Sequence, residues 1–141
     1  MSFEISGINN LLKKLNNLEA VDVKNEVEDV AKKMQASLRS SASSFSKNEY
    51  KCIATCEPRC YGNKNCFIDV GLKNDNAPFE SWKGLYFQNF GYRQFYYGHD
   101  LKKINTTHVL WFDNAVSQAA EQLKKELKDK LKDKIKNALE G

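Results

Sequence analysis

The sequence predicts a single α+β domain over residues 1–141, with an antiparallel sheet of about three to four strands over about 49–111. Two N-terminal helices and a long C-terminal helix are expected to pack on that sheet. Apolar residues recur at helical spacing near both ends of the chain, whereas they alternate with polar residues in the middle. The chain is long enough to bury one hydrophobic core.

The N-terminal part predicts a short strand followed by two amphipathic helices. Residues 3–5 form the candidate strand, and Ser6 fits the N-cap of a helix over about 7–18. A second helix is predicted over about 22–39, and the serine-rich stretch 40–48 is expected to be a loop. The apolar positions of the two helices are Ile8, Leu11, Leu12, Leu15, Leu18, Val23, Val27, Val30, Ala31, Met34 and Leu38.

The middle of the chain predicts a hairpin and two further strands. Residues alternate with period two in 50–56 and in 66–72, and the segment between them contains Pro58 and Gly62, which favour a turn. A third strand is expected over about 85–92 and a fourth over about 107–111.

The C-terminal part predicts a helix over about 114–139, with Asp113 as its N-cap. From Leu123 onward its apolar residues recur every four positions, so the apolar stripe advances by about 40° at each step. Either the helix wraps over the sheet and leaves it, or its last turns, with Leu131 and Ile135, contact a second chain. The third alternative is a solvated helix end that frays.

Composition and charge exclude several classes of protein. The net charge is +4 with no basic block, which does not indicate binding through a charged stripe. Residues 1–20 contain charged residues and lack the continuous apolar segment of a signal peptide. No apolar run approaches the ~18–20 residues that span a bilayer. We therefore expect a protein made in a cytoplasm, with no membrane partner.

Four cysteines, Cys52, Cys56, Cys60 and Cys66, are the first candidates for chemistry. Their spacing differs from that of common zinc sites, in which close pairs are separated by a longer loop. Strand alternation would point Cys52, Cys56 and Cys66 to one apolar face, so core or surface thiols are favoured. Cys56, Cys60 and Cys66 could still meet near the hairpin end as a metal site, and a disulfide is the third alternative.

The sequence predicts no enzyme and no cofactor. Its two histidines, His99 and His108, have no local catalytic signature around them. Carboxylates are scattered, and neither a phosphate-binding loop nor a dinucleotide fingerprint is present.

The stretch from Gly84 to Gly98 is unusually aromatic. As a strand, it would place Tyr86 and Phe90 on one face and Phe87 on the other, which is more ring surface than one small sheet can hide. A protein interface is the favoured interpretation. Base stacking is the rival one, but it needs basic residues to contact phosphates, and only Arg93, Lys102 and Lys103 are close. The seven rings are Tyr86, Phe87, Phe90, Tyr92, Phe95, Tyr96 and Tyr97.

Several short motifs, in order, resemble the minor tail-component proteins of long-tailed bacteriophages, which complete the tail or join it to the head. They are "EISGINNLLKKLNNL", "FIDVG", "YFQNFG", "LWFDNAV" and "AAEQLKKELKDKLKDKIKNAL". The family's P-x-x-T-G-x-L segment after the second helix is replaced here by "SSASSFSKNEY", and the acid before the glycine by Gln88-Asn89-Phe90.

The resemblance implies a virion protein without enzymatic activity, made in the bacterial host cytoplasm. Such a protein would form a ring between the head connector and the tail tube, and it could be monomeric in isolation. Its partners would be phage connector and tail proteins, with no nucleic acid. A small nucleic-acid-binding or regulatory module and a metal-stabilised interaction domain remain as alternatives. The expected interface residues are Tyr86, Phe90, Tyr92, Phe95, Tyr96, Tyr97, Leu131 and Ile135.

Overall fold

The computed structural model describes residues 8–19, 21–62, 65–73 and 76–140. The predicted strand over 3–5 and the predicted cap at Ser6 lie outside these residues. The helices are α1 (Ile8–Glu19), α2 (Lys24–Ser43), a short 3-10 helix (Glu49–Cys52), α3 (Phe79–Phe90) and α4 (Trp111–Glu140). The strands are β1 (Ala54–Thr55), β2 (Arg59–Tyr61), β3 (Asn65–Phe67), β4 (Val70–Gly71), β5 (Tyr92–Tyr96) and β6 (His99–Asn105).

The predicted α+β class, the antiparallel pairing and the long C-terminal helix are confirmed. The described strands do not form one sheet, however. They pair as β1 with β4, β2 with β3 and β5 with β6, which gives three separate two-stranded sheets. The reason is that α2 and α4 pack mainly on each other, so the short strands lie at the margins of a helical body.

The core lies where α2, α3 and α4 meet. Leu38, Ile53 and Leu85 are completely buried there. Burying one such side chain contributes about 1.5–3 kcal/mol relative to leaving it exposed. Ala42, Trp111 and Ala115 complete the buried cluster.

Helix α2 ends at Ser43, four residues beyond the predicted boundary. The serines at its end remain helical because Ala42 is completely buried in the core. At its start, the carboxylate of Asp22 accepts the backbone N–H of Lys24 at 2.8 Å, which satisfies one of the unpaired donors of the first turn.

The prediction of a strand over 50–56 is largely wrong, because Glu49–Cys52 is a turn of 3-10 helix. Arg39 of α2 explains this local structure. Its guanidinium donates to the carbonyl oxygens of Ile53, at 2.7 Å, and Lys51, at 3.1 Å. These carbonyls therefore face α2 and are not free to pair with a neighbouring strand. Antiparallel pairing of the two arms of the predicted hairpin is still found beyond residue 53, where β1 pairs with β4 and β2 pairs with β3.

The prediction of a strand over 85–92 is wrong, because this segment belongs to helix α3. Trp82, Leu85 and Asn89 are buried on one side of α3 at helical spacing, and burial of that side determines the conformation. The Trp82 indole also donates to the carbonyl oxygen of Ala77 at 2.9 Å, ahead of the helix.

The predicted strand over 107–111 is also wrong. The strand before α4 is β6, and α4 begins at Trp111, so Asp113 lies within the first turn and is not its N-cap. None of the described helices combines the length and apolar character needed to cross a bilayer.

Candidate protein-binding surface

The outer face of α3 presents a row of aromatic side chains to solvent. We call Phe79, Tyr86, Phe87 and Phe90 the aromatic face of α3. Between 37% and 63% of each is exposed. The rings contact one another, with centroids 4.8 Å apart for Tyr86 and Phe90 and 5.9 Å apart for Phe79 and Tyr86. They therefore form one continuous apolar surface.

Two hydrogen bonds fix α3 against the start of α4. The indole N–H of Trp111 donates to the carbonyl oxygen of Leu85 at 2.9 Å in the core. The side-chain amide of buried Asn89 accepts the backbone N–H of Phe112 at 3.0 Å. The orientation of the aromatic face is thus set by buried contacts on the opposite side of the same helix.

A groove of about 240 Å³ runs between α3 and α4, and we call it the α3–α4 groove. Its floor is formed by the buried residues Trp82, Leu85, Asn89 and Trp111. Its rim carries Leu72, Tyr86, Phe90 and Phe112.

Strands β5 and β6 form a hairpin that begins at Gly91. Gly91 has φ +81°, and a Cβ at this position would lie 3.2 Å from the carbonyl oxygen of Asn105. The base of the hairpin is therefore held closely, where only glycine fits without strain. The Tyr92 hydroxyl accepts the side-chain amide of Asn105 at 3.1 Å, which places this predicted interface residue half-buried inside the hairpin.

The other end of the hairpin, Phe95–Gly98, is its tip. Tyr96 pairs with His99, so Tyr97 and Gly98 form a two-residue turn. The rings of Phe95, Tyr96 and Tyr97 are between 62% and 86% exposed. Tyr96 and Tyr97 contact each other with centroids 4.6 Å apart.

A second groove, of about 370 Å³, joins the aromatic face of α3 to the hairpin. It is lined by Phe87 and Gln88 from α3 and by Tyr92 and Arg93 from β5. The buried Gln88 Oε1 has no hydrogen-bond partner among the described residues. The helix and the hairpin thus contribute to one surface.

The two predicted interface residues on α4 lie away from this surface. Leu131 and Ile135 line an apolar groove of about 400 Å³ with Leu18 of α1 and with Val21 and Val23 from the segment that joins α1 to α2. Leu131 is half-buried there, whereas Ile135 is 43% exposed. Helices α1 and α2 therefore cover much of the apolar stripe that winds around α4. The helix does not fray, because it continues to Glu140.

The cysteines are not arranged as expected for core thiols. Cys60 and Cys66 are directly opposite each other on β2 and β3 and form a disulfide. Cys52 and Cys56 are free and half-buried, and Cys56 Sγ accepts the side-chain amide of Asn76 at 3.4 Å. Within the described residues, no three histidine, cysteine or acidic side chains come together as a metal site.

Three lysines on the α2–α4 seam form ion pairs with carboxylates. Lys134 lies 3.1 Å from Glu26, and Lys130 lies 3.3 Å from Glu126. Lys33 of α2 also bonds Glu126. The hydrogen bonds from Lys33 and Lys130 lower the pKa of Glu126 below its ordinary value of 4.5. These cations are thus partly neutralised within the chain.

Sequence reasoning found the exposed rings but assigned the wrong secondary structure to half of them. It missed Phe79 and two exposed apolar residues of β6, Leu101 next to the tip and Ile104 near the base of the hairpin. The i, i+3, i+7 spacing of Trp82, Leu85 and Asn89 is the sequence signal that could have identified α3 as a helix.

Comparisons of the chain with protein-family models, with curated proteins and with solved structures gave no match.

Proposed function

We propose that this chain is a non-enzymatic assembly protein that binds other protein chains through the aromatic face of α3 and the hairpin tip. The observation that carries the proposal is the exposure of seven rings on two adjoining elements. They are Phe79, Tyr86, Phe87 and Phe90 on α3 and Phe95, Tyr96 and Tyr97 at the hairpin tip. Taking roughly 200 Å² for a whole ring, these rings leave about 800 Å² of aromatic surface in solvent.

The area is divided between the aromatic face of α3 and the hairpin tip, with roughly 400 Å² on each. The largest apolar patch on a typical monomer covers about 300–600 Å², and a partner in a standard interface buries about 800 Å². Aromatic side chains are also enriched at the centres of protein interfaces. Both the size and the chemistry of the surface favour a protein partner over a small ligand.

We propose further that the assembly is the neck of a long-tailed bacteriophage, where the chain acts between the head connector and the tail tube in head–tail joining or tail completion. The support is the resemblance of the motifs together with the order of the elements that contain them. The V-G motif ends in β4, the F-G motif ends α3, and the W-F motif begins α4.

A nucleic-acid-binding module is the second candidate. Lys102 and Lys103 are exposed on β6 beside the rings of the tip, as base stacking with phosphate contacts would need. Against it, the described lysines of the α2–α4 seam are paired with carboxylates. This candidate predicts retention on a single-stranded oligonucleotide at about 50 mM salt, and loss of retention as salt is raised.

Complementation of a gene deletion in the phage that encodes the chain tests the neck proposal. We expect the deletion to leave separate heads and tails, as counted by electron microscopy. Wild-type protein and a Tyr61→Ser variant should restore joined particles, because Tyr61 lies on the distant β2–β3 hairpin. The double variant Tyr86→Ser/Phe90→Ser should not restore them. Normal particles in the absence of the gene would overturn the proposal.

A further inference from the structure

The turn at the hairpin tip contains a residue that folding alone does not favour. Tyr97 has φ +47° and Gly98 has φ +78°. A two-residue turn with positive φ at both positions strongly prefers asparagine, aspartate or glycine first, because a Cβ with a bulky ring is strained there. Tyr97 is nevertheless present, and it is the most exposed large hydrophobic side chain among the described residues, at 86%. Strain at an exposed position points to a role outside the fold.

Hydrogen bonds in the rest of the hairpin fix the backbone that carries this ring. Residues 101–103 of β6 oppose the single residue Gln94 of β5, which makes a bulge. The Asp100 carboxylate accepts the backbone N–H of Lys102 at 2.8 Å and the Arg93 guanidinium at 3.1 Å. The bulge is thereby fixed, so the tip rings are presented with little loss of conformational entropy on binding.

The α3–α4 groove has the size and chemistry to receive such a ring. Its floor and rim supply five aromatic residues besides Leu72 and Leu85, namely Trp82, Tyr86, Phe90, Trp111 and Phe112. Its volume of about 240 Å³ exceeds that of a cavity of about 150 Å³ that is known to bind benzene. The carboxylate of Asp113, which bonds Asn89 on the groove floor, is exposed beside the groove and is available to a cation.

The tip of one copy cannot fill the groove of the same copy. The hairpin is anchored at Gly91 and Asn105, close to the groove. At ~3.3 Å per residue, the five residues of β5 place the tip about 16 Å further away. A hairpin tip that enters the groove therefore belongs to another molecule.

We infer that the hairpin tip of one copy of this chain inserts into the α3–α4 groove of a second copy. The inference rests on the proposed function and names the partner of the same surface. The tip and the aromatic face of α3 each expose roughly 400 Å² of ring surface, taking ~200 Å² for each whole ring, so their areas match. Lys102 and Lys103 beside the tip also complement Asp113 beside the groove.

Contact between two different patches of the same chain is heterologous, so each copy binds one neighbour with its tip and another with its groove. Repetition of such a contact closes into a ring when the rotation allows. The rings bury about 800 Å² in total at each contact, and Leu101 next to the tip adds to it. This lies below the ~1,200 Å² of a stable complex, so the contact is weak between isolated copies.

Photo-cross-linking of the purified full chain tests this directly. Tyr97 is replaced by p-benzoylphenylalanine, the protein is irradiated at about 1 mM, and the adducts are mapped by mass spectrometry. At that concentration a contact with a Kd of about 1 mM is substantially populated. We expect intermolecular adducts between position 97 and the groove residues Tyr86, Phe90 or Phe112. The same replacement at Tyr61, an exposed ring on the other hairpin, is the matched control.

Absence of an intermolecular adduct from position 97, adducts that map to another surface, or an equal yield from position 61 would each overturn the inference. None of these results bears on the neck proposal, which the deletion and its complementation decide. The two can therefore fail separately.

The variant Tyr97→Asn separates binding from folding. Asparagine relieves the strained turn and removes the ring, so we expect the melting temperature to rise by a few degrees. Self-association, followed by sedimentation, should weaken at least about tenfold, as for loss of an interface anchor. Unchanged self-association would overturn the inference, whatever the change in stability.

Discussion

Asn89 bonds the start of α4 from the neighbouring helix, because its side-chain oxygen accepts the backbone N–H of Phe112 at 3.0 Å. Phe112 is the second residue of α4, so its N–H has no partner within the helix. The carboxylate of the next residue, Asp113, accepts a hydrogen bond from the side-chain amide of Asn89 at 3.4 Å. One buried side chain thus caps α4 and fixes the end of α3 that carries the aromatic face.

Replacement of Asn89 by alanine should therefore lower the free energy of unfolding by about 1–3 kcal/mol, since it removes a cap and leaves a part-buried donor unpaired. Urea unfolding measures the change. The control is the exposed Asn114→Ala variant in α4, the helix that Asn89 caps, and it should differ from wild type by no more than about 0.5 kcal/mol. Equal effects of the two variants would contradict the capping role.

Two glycine substitutions should change stability in opposite directions. Gly84 lies inside α3, where alanine is favoured by about 0.5–1 kcal/mol. A Cβ there would meet only the flexible carboxylate end of Glu49, at 2.5 Å, which can move away. Gly84→Ala should therefore raise the free energy of unfolding.

Gly91→Ala should lower it by about 1–3 kcal/mol, because φ is +81° and a Cβ would approach the backbone oxygen of Asn105. Thermal unfolding of both variants provides the measurement. Stabilisation by Gly91→Ala would mean that the hairpin is not anchored as described.

The ion pairs of the α2–α4 seam make stability depend on pH. Hydrogen bonds from Lys33 and Lys130 lower the pKa of Glu126 in the folded chain below 4.5. A lowered folded pKa means that this stabilisation is complete above the ordinary pKa and is lost as pH falls through the folded value. The melting temperature should therefore fall as pH decreases below about 4.5.

The Glu126→Gln variant isolates this effect. It should be less stable than wild type at pH 7, and the difference should shrink as the pH drops below the folded pKa of Glu126. A difference that stays constant down to strongly acidic pH would rule out the ion pairs as its source.

Reduction of the Cys60–Cys66 disulfide should also destabilise the chain. The bond closes a loop of seven residues, counted from 60 to 66, and the chain-entropy model gives about 2 kcal/mol for a loop of that size. The Cys60→Ser/Cys66→Ser variant should unfold at lower urea concentration than wild type under oxidising conditions, and at the same concentration under reducing conditions. Cys52→Ser/Cys56→Ser is the control, and it should keep the sensitivity to reductant.

The helices α1, α2 and α4 were predictable from the sequence because each has one apolar and one polar side. Helix α3 was not, because its outer face carries Tyr86, Phe87 and Phe90 while its inner face carries Trp82 and Leu85. A helix that is apolar on both sides has no clear 3.6-residue period, so the short alternation in 85–92 suggested a strand. The misassigned element is thus the one whose exposed side remains available to a partner.

The exposed position of Phe95, Tyr96 and Tyr97 was predictable, because these rings follow the apolar run with no core of their own. The strained turn that presents them was not, since no local rule expects tyrosine at a positive φ. The disulfide was one of three alternatives, because spacing alone did not give the register that places Cys60 opposite Cys66.

If the chain belongs to a phage neck, as we propose, the most direct test of the aromatic surface as an interface is hydroxyl-radical footprinting of the free chain and of the chain in purified phage particles. We predict that the rings of Tyr86, Phe90 and Tyr97 react in the free chain and become protected in the particle. Tyr61 and Phe67, exposed on the other hairpin, should stay reactive in both. Rings at 86, 90 and 97 that react equally in the free and assembled states would contradict the account.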